Sequence, residues 1–255
     1  MKKIVLAYSG GLDTSYCLKK LSQEKNEIHA VCINTGGFTT TQIKSIKEKA
    51  IELGAFKFEL IDAVEFYYNN IIKYLIYGNV LRNNTYPLSV SAERTVQAIE
   101  IINYAKKNKA THIAHGSTGA GNDQVRFDML FQIIAPEIEI ITPIRDNSLT
   151  REEETKFLQD NGVNIEWEKA KYSINKGLWG TSVGGDETLT SNKKLPNNAY
   201  PSQLKSNQSE ELILSFKNGE ISGFNGKNYD PVTAIELISE KCNNYCIGRD
   251  IHVGD

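Results

Sequence analysis

The sequence lacks the long hydrophobic runs, the charge imbalance and the signal-peptide core that would mark a membrane, nucleic-acid-binding or secreted protein. No apolar run approaches the roughly 20 residues that a membrane-spanning helix needs. The stretch between Lys3 and Ser9 is too short for a signal-peptide core. With 29 basic and 31 acidic side chains, the formal net charge of -2 favours neither nucleic acid nor an anionic membrane as a partner. We therefore expect a cytoplasmic globular protein with no membrane and no nucleic-acid partner.

Cysteine is also scarce, with four residues in 255. Cys17 and Cys32 fall in a predicted helix and a predicted strand, where a free thiol acts as a small core residue. Cys242, Cys246 and His252 could suggest a metal site, but three such residues without a second pair are a weak signal. A disulfide is disfavoured in the cytoplasm. We predict no metal site built by the chain itself.

The most informative segment is Ser9-Gly10-Gly11-Leu12-Asp13-Thr14-Ser15. The apolar residues 3–8 before it predict a buried strand, and residues 16–21 after it predict an amphipathic helix. Glycines allow a turn with positive φ and let a ligand approach the main chain. The first N–H groups of a helix have no internal partner and carry partial positive charge, so this arrangement favours a bound phosphate. Thr14 or Ser15 is the expected helix cap.

The segment matches neither the Walker pattern G-x-x-x-x-G-K-[ST] nor the dinucleotide pattern G-x-G-x-x-G. Two glycines alone would fit an ordinary strand-to-helix turn. With Asp13 included, the string resembles the pyrophosphate loop of the N-type ATP pyrophosphatases, which cleave ATP to AMP and pyrophosphate. We therefore expect phosphate binding at this turn.

Residues 1–165 alternate predicted strands and helices, which indicates an ATP-binding domain of the α/β class. Strands are predicted at residues 3–8, 28–34, 56–61, 111–115 and 139–141, and helices at 16–21, 42–53, 64–77, 91–108, 124–134 and 151–161. Repeating βα units predict a Rossmann-like parallel sheet with helices on both faces. In such sheets ligands lie beyond the carboxyl ends of the strands, where the first loop and a second glycine-rich loop, residues 116–123, are both expected.

The character of the chain changes after about residue 162, and we predict a partial α+β substrate domain over residues 166–255. Its predicted parts are a Gly-, Ser- and Thr-rich stretch, a polar extended loop, a β-hairpin and a helix, at residues 172–185, 186–211, 212–224 and 230–242. The hairpin turns at Asn218-Gly219, and Asp230-Pro231 begins the helix. Val253 looks like a strand residue without a partner strand, so we expect this domain to be incomplete at its C-terminal end.

The second glycine-rich loop leads into Asn122, Asp123 and Arg126. Asn122 or Asp123 could simply cap a helix while Arg126 stays solvated. An arginine within one turn of a capped glycine loop fits a carboxylate- or phosphate-binding pocket better.

Together the loops at residues 7–15 and 115–127 resemble the argininosuccinate synthase family, and the similarity runs from Lys3 to the last residue except around residues 186–208. That family adenylates the ureido oxygen of citrulline with ATP, releases pyrophosphate, and lets the amine of aspartate displace AMP. The resemblance implies an adenine-nucleotide α-hydrolase-like fold, a carbon–nitrogen ligase of arginine biosynthesis, and ATP with Mg²⁺ as cofactors. It also implies a chain truncated at its C-terminus. Because the family homotetramer assembles through a C-terminal helix absent here, assembly of this chain is in doubt.

The resemblance assigns ligand contacts residue by residue. The implied ATP contacts are Ala7, Tyr8, Ser9, Gly10, Gly11, Leu12, Asp13, Thr14, Ser15, Ile33 and Gly116. The implied aspartate contacts are Thr118, Asn122 and Asp123. The implied citrulline contacts are Tyr86, Ser91, Asn122, Arg126, Ser173 and Ser182. Asp13, Asp123 and Arg126 are the candidate catalytic residues. Tyr86 could alternatively pack within its loop, and Ser91 could be only a helix cap.

The chain departs from the family pattern at several places that bear on its substrates, one of which is the segment from Gly78 to Arg94 around Tyr86 and Ser91. Gly119-Ala120-Gly121 stands where the family usually has Gly-Lys-Gly, so one cation near the phosphates or aspartate is absent. A family glutamate that binds citrulline lies near Gly254, and a tyrosine contact falls beyond Asp255. The loss of contacts at the amino-acid end fits N-acylated citrulline, which some branches of the pathway use, and fits a truncated chain equally well.

Two other functions stay open at this point. One is a different N-type ATP pyrophosphatase, such as a tRNA-thiolating or NAD-forming enzyme, although thiolation would need a reactive cysteine near the loop and a basic surface for RNA. The other is a truncated ATP-binding module without turnover, which the abrupt end at Asp255 would fit.

Overall fold

The computed structural model describes residues 1–119, 121–163 and 172–252, and the chain groups into two compact units. The first unit comprises Met1–Ala63 with Glu93–Lys169, and the second comprises Val64–Ala92 with Ala170–Asp255. Ala120, Val253 and the boundary predicted between residues 165 and 166 lie outside the described residues. The division at residue 165 stays a prediction, and the structure adds that residues 64–92 group with the C-terminal part.

Five parallel strands form the sheet of the first unit, in the order β3-β2-β1-β4-β5. They are β1 (Lys3–Ala7), β2 (Glu27–Asn34), β3 (Lys57–Asp62), β4 (His112–Ala114) and β5 (Glu139–Ile141). In register, Leu6 of β1 lies between Ala30 of β2 and Ala114 of β4. The parallel order confirms the predicted Rossmann-like α/β fold. Because successive strands extend the sheet in one direction to β3 and in the other from β4, the topological switch point lies between β1 and β4.

The described residues form nine α-helices, several of them at the predicted positions. In chain order they are α1 (Leu12–Ser22), α2 (Thr40–Glu52), α3 (Val64–Tyr67), α4 (Lys73–Tyr77), α5 (Ser89–Lys107), α6 (Asn122–Ile134), α7 (Pro143–Asn147), α8 (Arg151–Asp160) and α9 (Pro231–Asn243). A π-helical turn at Tyr68–Ile72 joins α3 to α4, so the helix predicted over residues 64–77 is continuous but locally widened. None of the helices in the described ranges is long and apolar enough to cross a membrane.

Helices cover both faces of the parallel sheet because alternate residues of each strand point in opposite directions. On one face, Ile4 and Leu6 belong to a buried cluster that includes residues of α1, α2 and α8. On the other face, His29 of β2 bonds through Nδ1 to the hydroxyl of Tyr104 in α5, at 2.9 Å. The double burial explains why β1 and β2 read as nearly continuous apolar runs.

The structure confirms the predicted start of α8 and the predicted end of α2, and it corrects the predicted start of α1. Thr150 caps α8 in a reciprocal capping box with Glu153, which confirms the predicted start. Gly54, with φ at 99°, follows the end of α2 as predicted. The prediction for α1 was wrong, because the helix begins at Leu12 and not at Tyr16, with Gly11 in place of Thr14 or Ser15 at the N-cap.

The second unit contains two small antiparallel sheets. One is the hairpin of β6 (Tyr172–Gly177) and β7 (Gly180–Gly185), and the other combines β8 (Leu214–Lys217), β9 (Glu220–Phe224) and β10 (Lys227–Asn228). Asn218 and Gly219 both have positive φ, at 54° and 84°, which confirms the predicted turn between β8 and β9. Asp230 caps α9 and Pro231 is its first residue, also as predicted. The β6–β7 hairpin was not predicted, since its strands lack alternating apolar residues.

Candidate functional site

The loop between β1 and α1 presents the start of a helix with its first N–H groups outside the helical ladder. The first bond of the ladder runs from the amide of Ser15 to the carbonyl oxygen of Gly11, at 3.0 Å. The amides before it therefore have no acceptor within the helix. Gly10 has φ at 76°, and a β-carbon there would lie 3.0 Å from Cγ1 of Ile46. The turn thus needs glycine at this position, and the amides it leaves are suited to a phosphate.

Polar side chains of the loop divide between its surface and the core. Thr14 Oγ1 donates to the carbonyl oxygen of Gly11 at 3.4 Å and lies 3.3 Å from the hydroxyl of Ser9. Ser15 is fully buried, and its hydroxyl has no hydrogen-bond partner in the part of the chain that the structure describes. Thr14 therefore contributes to the loop surface, while Ser15 lies beneath it.

Three of the implied ATP contacts lie in, or directly after, the strands that lead to the site. Ala7 ends β1, and the amide of Tyr8 donates to the carbonyl oxygen of Val31 at 2.9 Å, which extends the pairing with β2. The Tyr8 ring is buried, and this burial raises the pKa of its hydroxyl to about 12. Ile33 is also a core residue, so Tyr8 and Ile33 can offer a ligand mainly their backbone atoms.

A lysine that the sequence did not single out reaches the first loop. Lys49 of α2 donates from Nζ to the carbonyl oxygen of Gly10, at 3.0 Å. Burial lowers the pKa of its ammonium group, against an opposing effect of Glu52. A positive charge held at the loop adds to the partial charge of the helix start. The sequence does not predict this contact, because the position of Lys49 in α2 fits a solvent-exposed lysine equally well.

The loop after β4 meets the loop after β1 at the switch point. A β-carbon on Gly116 would lie 3.1 Å from the carbonyl carbon of Asp13 and 3.3 Å from its Cβ. His115 is 1% exposed, accepts the amide hydrogen of Ser117 at Nδ1 and bonds from Nε2 to Asp128 Oδ1, at 3.2 and 2.9 Å. Arg145 pairs with the other oxygen of Asp128. This network anchors the loop that carries Gly116.

The Asp128 carboxyl keeps its charge within that network. Burial alone would raise its pKa, but the hydrogen bonds from His115 and Arg145 outweigh burial and lower it. Because Nδ1 of His115 accepts from an amide, the neutral ring places its hydrogen on Nε2, toward Asp128. The pairing fixes the ring orientation and with it the backbone of the loop.

Asp123 lies between two arginines at the start of α6. Arg126 donates from Nη1 to Asp123 Oδ1 at 2.8 Å, and Arg94 of α5 donates from Nε to Oδ2 at 2.9 Å. The side chain of Arg94 is 13% exposed, so its charge is largely removed from solvent. The arrangement places a carboxylate next to two guanidinium groups, a set that can exchange partners with an amino acid bearing both charges.

Gly121 is the N-cap of α6, with no side-chain bond at the cap. Asn122 and Asp123 are therefore the first residues of the helix, and neither caps it, which overturns the capping alternative. Thr118 lies in the preceding loop. Arg94 was not predicted as a site residue. In the helix predicted to begin at Ser91, Arg94 stands at the third position, where an acid is usual, and this was the one local signal that could have identified it.

Glu93, next to Arg94, extends the polar network toward β2. It is buried and accepts the Thr35 hydroxyl at 2.6 Å and the side-chain amide of Gln97 at 2.9 Å. Burial raises the pKa of Glu93, while Arg94 and the Thr35 bond oppose the rise. The network links the carboxyl end of β2 to the side chain that holds Asp123.

Two acidic residues, Asp13 and Glu154, lie close together where α8 packs against α1. Glu154 is 1% exposed, and its Oε2 atom has no hydrogen-bond partner among the described residues. Burial raises the pKa of Glu154 to about 8, the neighbouring Asp13 carboxylate adds to the rise, and Arg151 opposes it. Burial also raises the pKa of Asp13, against the lowering effect of Arg151. The i-to-i+4 spacing of Glu154 and the buried Leu158 was a sequence signal that this glutamate faces inward.

The remaining implied citrulline contacts lie in the second unit. The hydroxyl of Tyr86 accepts the amide hydrogens of Val90 and Ser91, at 3.1 and 3.2 Å, and its ring stacks on His252 with centroids 4.8 Å apart. Ser91 Oγ donates to the carbonyl oxygen of Leu88 at 3.3 Å. Because α5 begins at Ser89, Ser91 lies inside the helix and is not its cap. The Tyr86 hydroxyl instead accepts hydrogen bonds from amides of the first helical turn, which have no acceptor within the helix.

The β6–β7 hairpin brings Ser173 and Ser182 to one face. Ser173 pairs with Gly184 and Asn175 pairs with Ser182, so the two serines are diagonal neighbours on the same side of the hairpin. Asn122 and Arg126, the other implied citrulline contacts, belong to the first unit together with all implied ATP contacts. The structure therefore groups the predicted site residues into these two sets.

Metal-ligand clusters are not found in the described part of the chain. Within it, no three His, Cys, Asp or Glu side chains lie close enough to hold a metal ion. Cys242 and Cys246 are partly buried free thiols.

Comparison with known proteins gives consistent results. The family model described as the arginosuccinate synthase N-terminal HUP domain matches residues 3–164. The argininosuccinate synthase of Sulfurisphaera tokodaii is 38% identical over 253 residues, which cover 98% of this chain and 64% of that protein. The Methanocaldococcus jannaschii argininosuccinate synthase is 37% identical over 249 residues, 96% of this chain and 62% of that protein. The chain thus spans 64% or less of the length of these relatives.

A solved structure supports the fold alone. A 4-thiouridine synthetase in complex with RNA and bound ATP is similar with a TM-score of 0.50 and 12% sequence identity, over 66% of this chain and 42% of that chain. At that identity the likeness concerns the arrangement of strands and helices and says nothing of the ligands of this chain.

Proposed function

The chain belongs to the argininosuccinate synthase family, and we propose that it acts in the ATP-dependent ligation of citrulline and aspartate to argininosuccinate in arginine biosynthesis. The observation that carries the proposal is the meeting of the two glycine-rich loops at the switch point, where Gly116 lies against the backbone of Asp13. The amides at the start of α1 are suited to phosphate, and the close approach of Gly116 brings the loop after β4 to the same place.

ATP is proposed to lie with its phosphates at the start of α1, on the amides that follow Gly11. Thr14 and Ser9 would add hydroxyl groups, and Lys49 would add positive charge. Mg²⁺ would enter bound to the phosphates. The ureido oxygen of citrulline would form a bond to the α-phosphorus while the bond to the β-phosphate breaks, which gives citrullyl-adenylate and pyrophosphate. The contribution of the loop is to position these groups and stabilise charge on the leaving pyrophosphate.

Aspartate is proposed to bind at the second loop. Its ammonium group would face the carboxylate of Asp123, and its carboxylates would engage guanidinium and hydroxyl donors such as Arg94 and Thr118. After the ammonium group loses a proton to solvent, the amine would attack the ureido carbon and displace AMP. Arg126, which now pairs with Asp123, would be free to contact citrulline once the ammonium group has taken its place.

For citrulline, free or N-acylated, the proposed contacts in the first unit are Asn122 and Arg126. The family resemblance also implies contacts from residues of the second unit, which are Tyr86, Ser91, Ser173 and Ser182. The support from the second unit is the common face of Ser173 and Ser182 on their hairpin. Hydroxyl groups of this kind can bind the amino-acid or acyl end without adding charge.

The decisive experiment measures pyrophosphate release from ATP by the purified chain, with citrulline or N-acetylcitrulline and with or without aspartate. ATP binding is measured on the same sample, and light scattering gives its oligomeric state, for which the family resemblance implies a homotetramer. We expect release that needs a citrulline and product formation that needs aspartate. ATP binding without release would reduce the function to an ATP-binding module. Pyrophosphate release that requires neither citrulline nor aspartate would point to another N-type pyrophosphatase.

A further inference from the structure

The packing of α8 on α1 places a buried glutamate beside the loop that is proposed to bind ATP. The rings of Tyr16 and Phe157 meet edge to face, with centroids 4.9 Å apart and planes at 64°. Asp13 and Glu154 each lie three residues earlier on the same two helices. Because residues three apart lie on one face of a helix, the ring pair sets the register that brings the two acids together.

Glu154 has few groups that could compensate a buried charge. The titratable groups that influence it are Asp13, Tyr16 and Cys17 on α1 and Arg151 on its own helix. Burial raises the pKa of the Tyr16 hydroxyl and of the Cys17 thiol, so both stay neutral. Arg151 is exposed to solvent, which weakens its attraction for a carboxylate below the surface. The hydrogen-bond partner of its carboxyl is Asp13, another acid, and Oε2 has no partner among the described residues, so an ionised Glu154 would be a poorly compensated charge.

We propose that Glu154 is a positioning residue of the first glycine-rich loop: its buried, neutral carboxyl supports Asp13 in the first turn of α1 and limits the loop to one negative charge beside the phosphates. The inference rests on the ATP binding proposed above. A single carboxylate in the first turn stabilises the helix start. A second one would oppose the tetra-anionic phosphate chain that the same turn receives.

A specific pH dependence of ATP binding follows. As the pH rises through about 8, the carboxyl of Glu154 ionises and adds a negative charge near the phosphate site. ATP affinity should fall roughly tenfold between about pH 7.5 and 9.5, a loss reasonable for one added charge several ångströms from a polyphosphate. The phosphate groups of ATP are themselves ionised throughout this range, so they do not produce the change.

The test measures ATP dissociation constants at constant Mg²⁺ and ionic strength from pH 7.5 to 9.5, for the wild type and for Glu154→Gln. Glutamine has the shape of the neutral acid and cannot ionise. We expect the variant to match the wild type at pH 7.5 and to keep that affinity at pH 9.5. A purely structural role for Glu154 would lower affinity equally at every pH. Thermal unfolding at pH 7.5 checks that the variant folds.

Two further variants make the result specific to this pair. Glu152→Gln removes an exposed acid from the same helix turn and should leave the wild-type pH profile in place. Arg151→Gln removes the cation that lowers the pKa of Glu154, so the fall in affinity should move to higher pH. Arg151→Gln therefore tests whether ionisation of Glu154 lowers ATP affinity, even if Glu154→Gln does not fold.

The proposal is overturned if the wild type binds ATP with the same affinity across the range, or if Glu154→Gln and the wild type lose affinity in parallel. Absence of ATP binding at pH 7.5 in the folded wild-type chain is a different result, since it rejects the proposed ATP site itself. The two failures are therefore distinguishable.

Discussion

Gly116 approaches Asp13 so closely that a β-carbon on the glycine would lie 3.1 Å from the Asp13 carbonyl carbon. The contact joins the loops that follow β1 and β4, two strands that are adjacent in the sheet but more than a hundred residues apart in the sequence. It leaves no room for a side chain between Gly116 and the backbone of Asp13. The spacing of the proposed ATP site therefore depends on this one glycine.

Gly116→Ala should lower ATP affinity by about tenfold or more, because the added methyl group pushes the second loop away from the start of α1. The stability cost should be about 1–3 kcal/mol, as for other overpacked sites. Calorimetric titration with ATP and urea unfolding measure the two effects. Gly119→Ala is the matched comparison, since its β-carbon would meet only Arg145 Cγ at 3.8 Å. An equal loss of affinity in both variants would contradict the explanation.

Arg94→Met should raise the KM for aspartate while leaving the affinity for ATP nearly unchanged. Arg94 holds Oδ2 of Asp123, and its loss leaves that carboxylate with Arg126 alone. A charge-assisted hydrogen bond contributes about 1.5–3 kcal/mol, which corresponds to roughly a tenfold or larger change in KM. Steady-state pyrophosphate release at varied aspartate provides the measurement.

Lys106→Met serves as the control for Arg94→Met, because Lys106 is an exposed residue of the same helix that pairs with Glu137. It should leave the KM for aspartate at the wild-type value. If Arg94→Met changed the KM for ATP and not that for aspartate, Arg94 would belong to the nucleotide site instead.

Asp128→Asn should destabilise the first unit near neutral pH and do so less in acid. The hydrogen bonds of His115 and Arg145 lower the pKa of Asp128 despite its burial. A lowered folded-state pKa gives stability that is present above the unfolded value, near 3.9, and lost as the pH falls through the folded value. We expect a loss of about 1–3 kcal/mol at pH 7 that shrinks below about pH 4.

Urea unfolding of wild type and Asp128→Asn at pH 7 and at pH 3 to 4 tests this dependence. Asp146→Asn is a useful comparison on the same network, because Asp146 is more exposed and lies 3.9 Å from Arg145 Nε. A difference between wild type and Asp128→Asn that grows toward acid pH would reverse the predicted sign.

Tyr86→Phe should weaken the start of α5 and lower the affinity for citrulline. The hydroxyl of Tyr86 accepts two amides of the first turn, so its removal should cost about 1 kcal/mol, like the loss of another helix cap. Tyr74→Phe is the control, since Tyr74 is 57% exposed. Chemical denaturation and the KM for citrulline are the readouts. An unchanged stability and an unchanged KM for citrulline would show that the Tyr86 hydroxyl neither stabilises the start of α5 nor contributes to substrate binding.

Features that depend on a few consecutive residues could be predicted from the sequence. The capping box of Thr150, the Asn218-Gly219 turn and the Asp230-Pro231 helix start are local hydrogen-bond or backbone preferences, and the structure has each of them. The start of α1 was misplaced because Gly11 caps it without a side chain, so no cap residue signals the boundary. The β6–β7 hairpin was missed because its Gly- and Ser-rich strands lack the alternation of apolar and polar residues that predicts a β-strand.

Contacts between distant residues could not be predicted in this way. Arg94 and Asp123 are 29 positions apart, and Asp128 of α6 pairs both with His115 after β4 and with Arg145 of α7. Each of these pairs depends on strand order and on the angle at which a helix leaves the sheet. A single sequence records neither quantity.

The sequence by itself determined that a parallel α/β sheet carries two glycine-rich loops at the carboxyl ends of its strands, because turn chemistry and apolar periodicity are properties of neighbouring residues. Only the tertiary structure decided that β1 lies beside β4, that Gly116 meets Asp13, and that Glu154 is buried next to the same aspartate. The physical reason is that burial and charge interaction depend on distances in space, and folding sets those distances between residues that the chain keeps far apart.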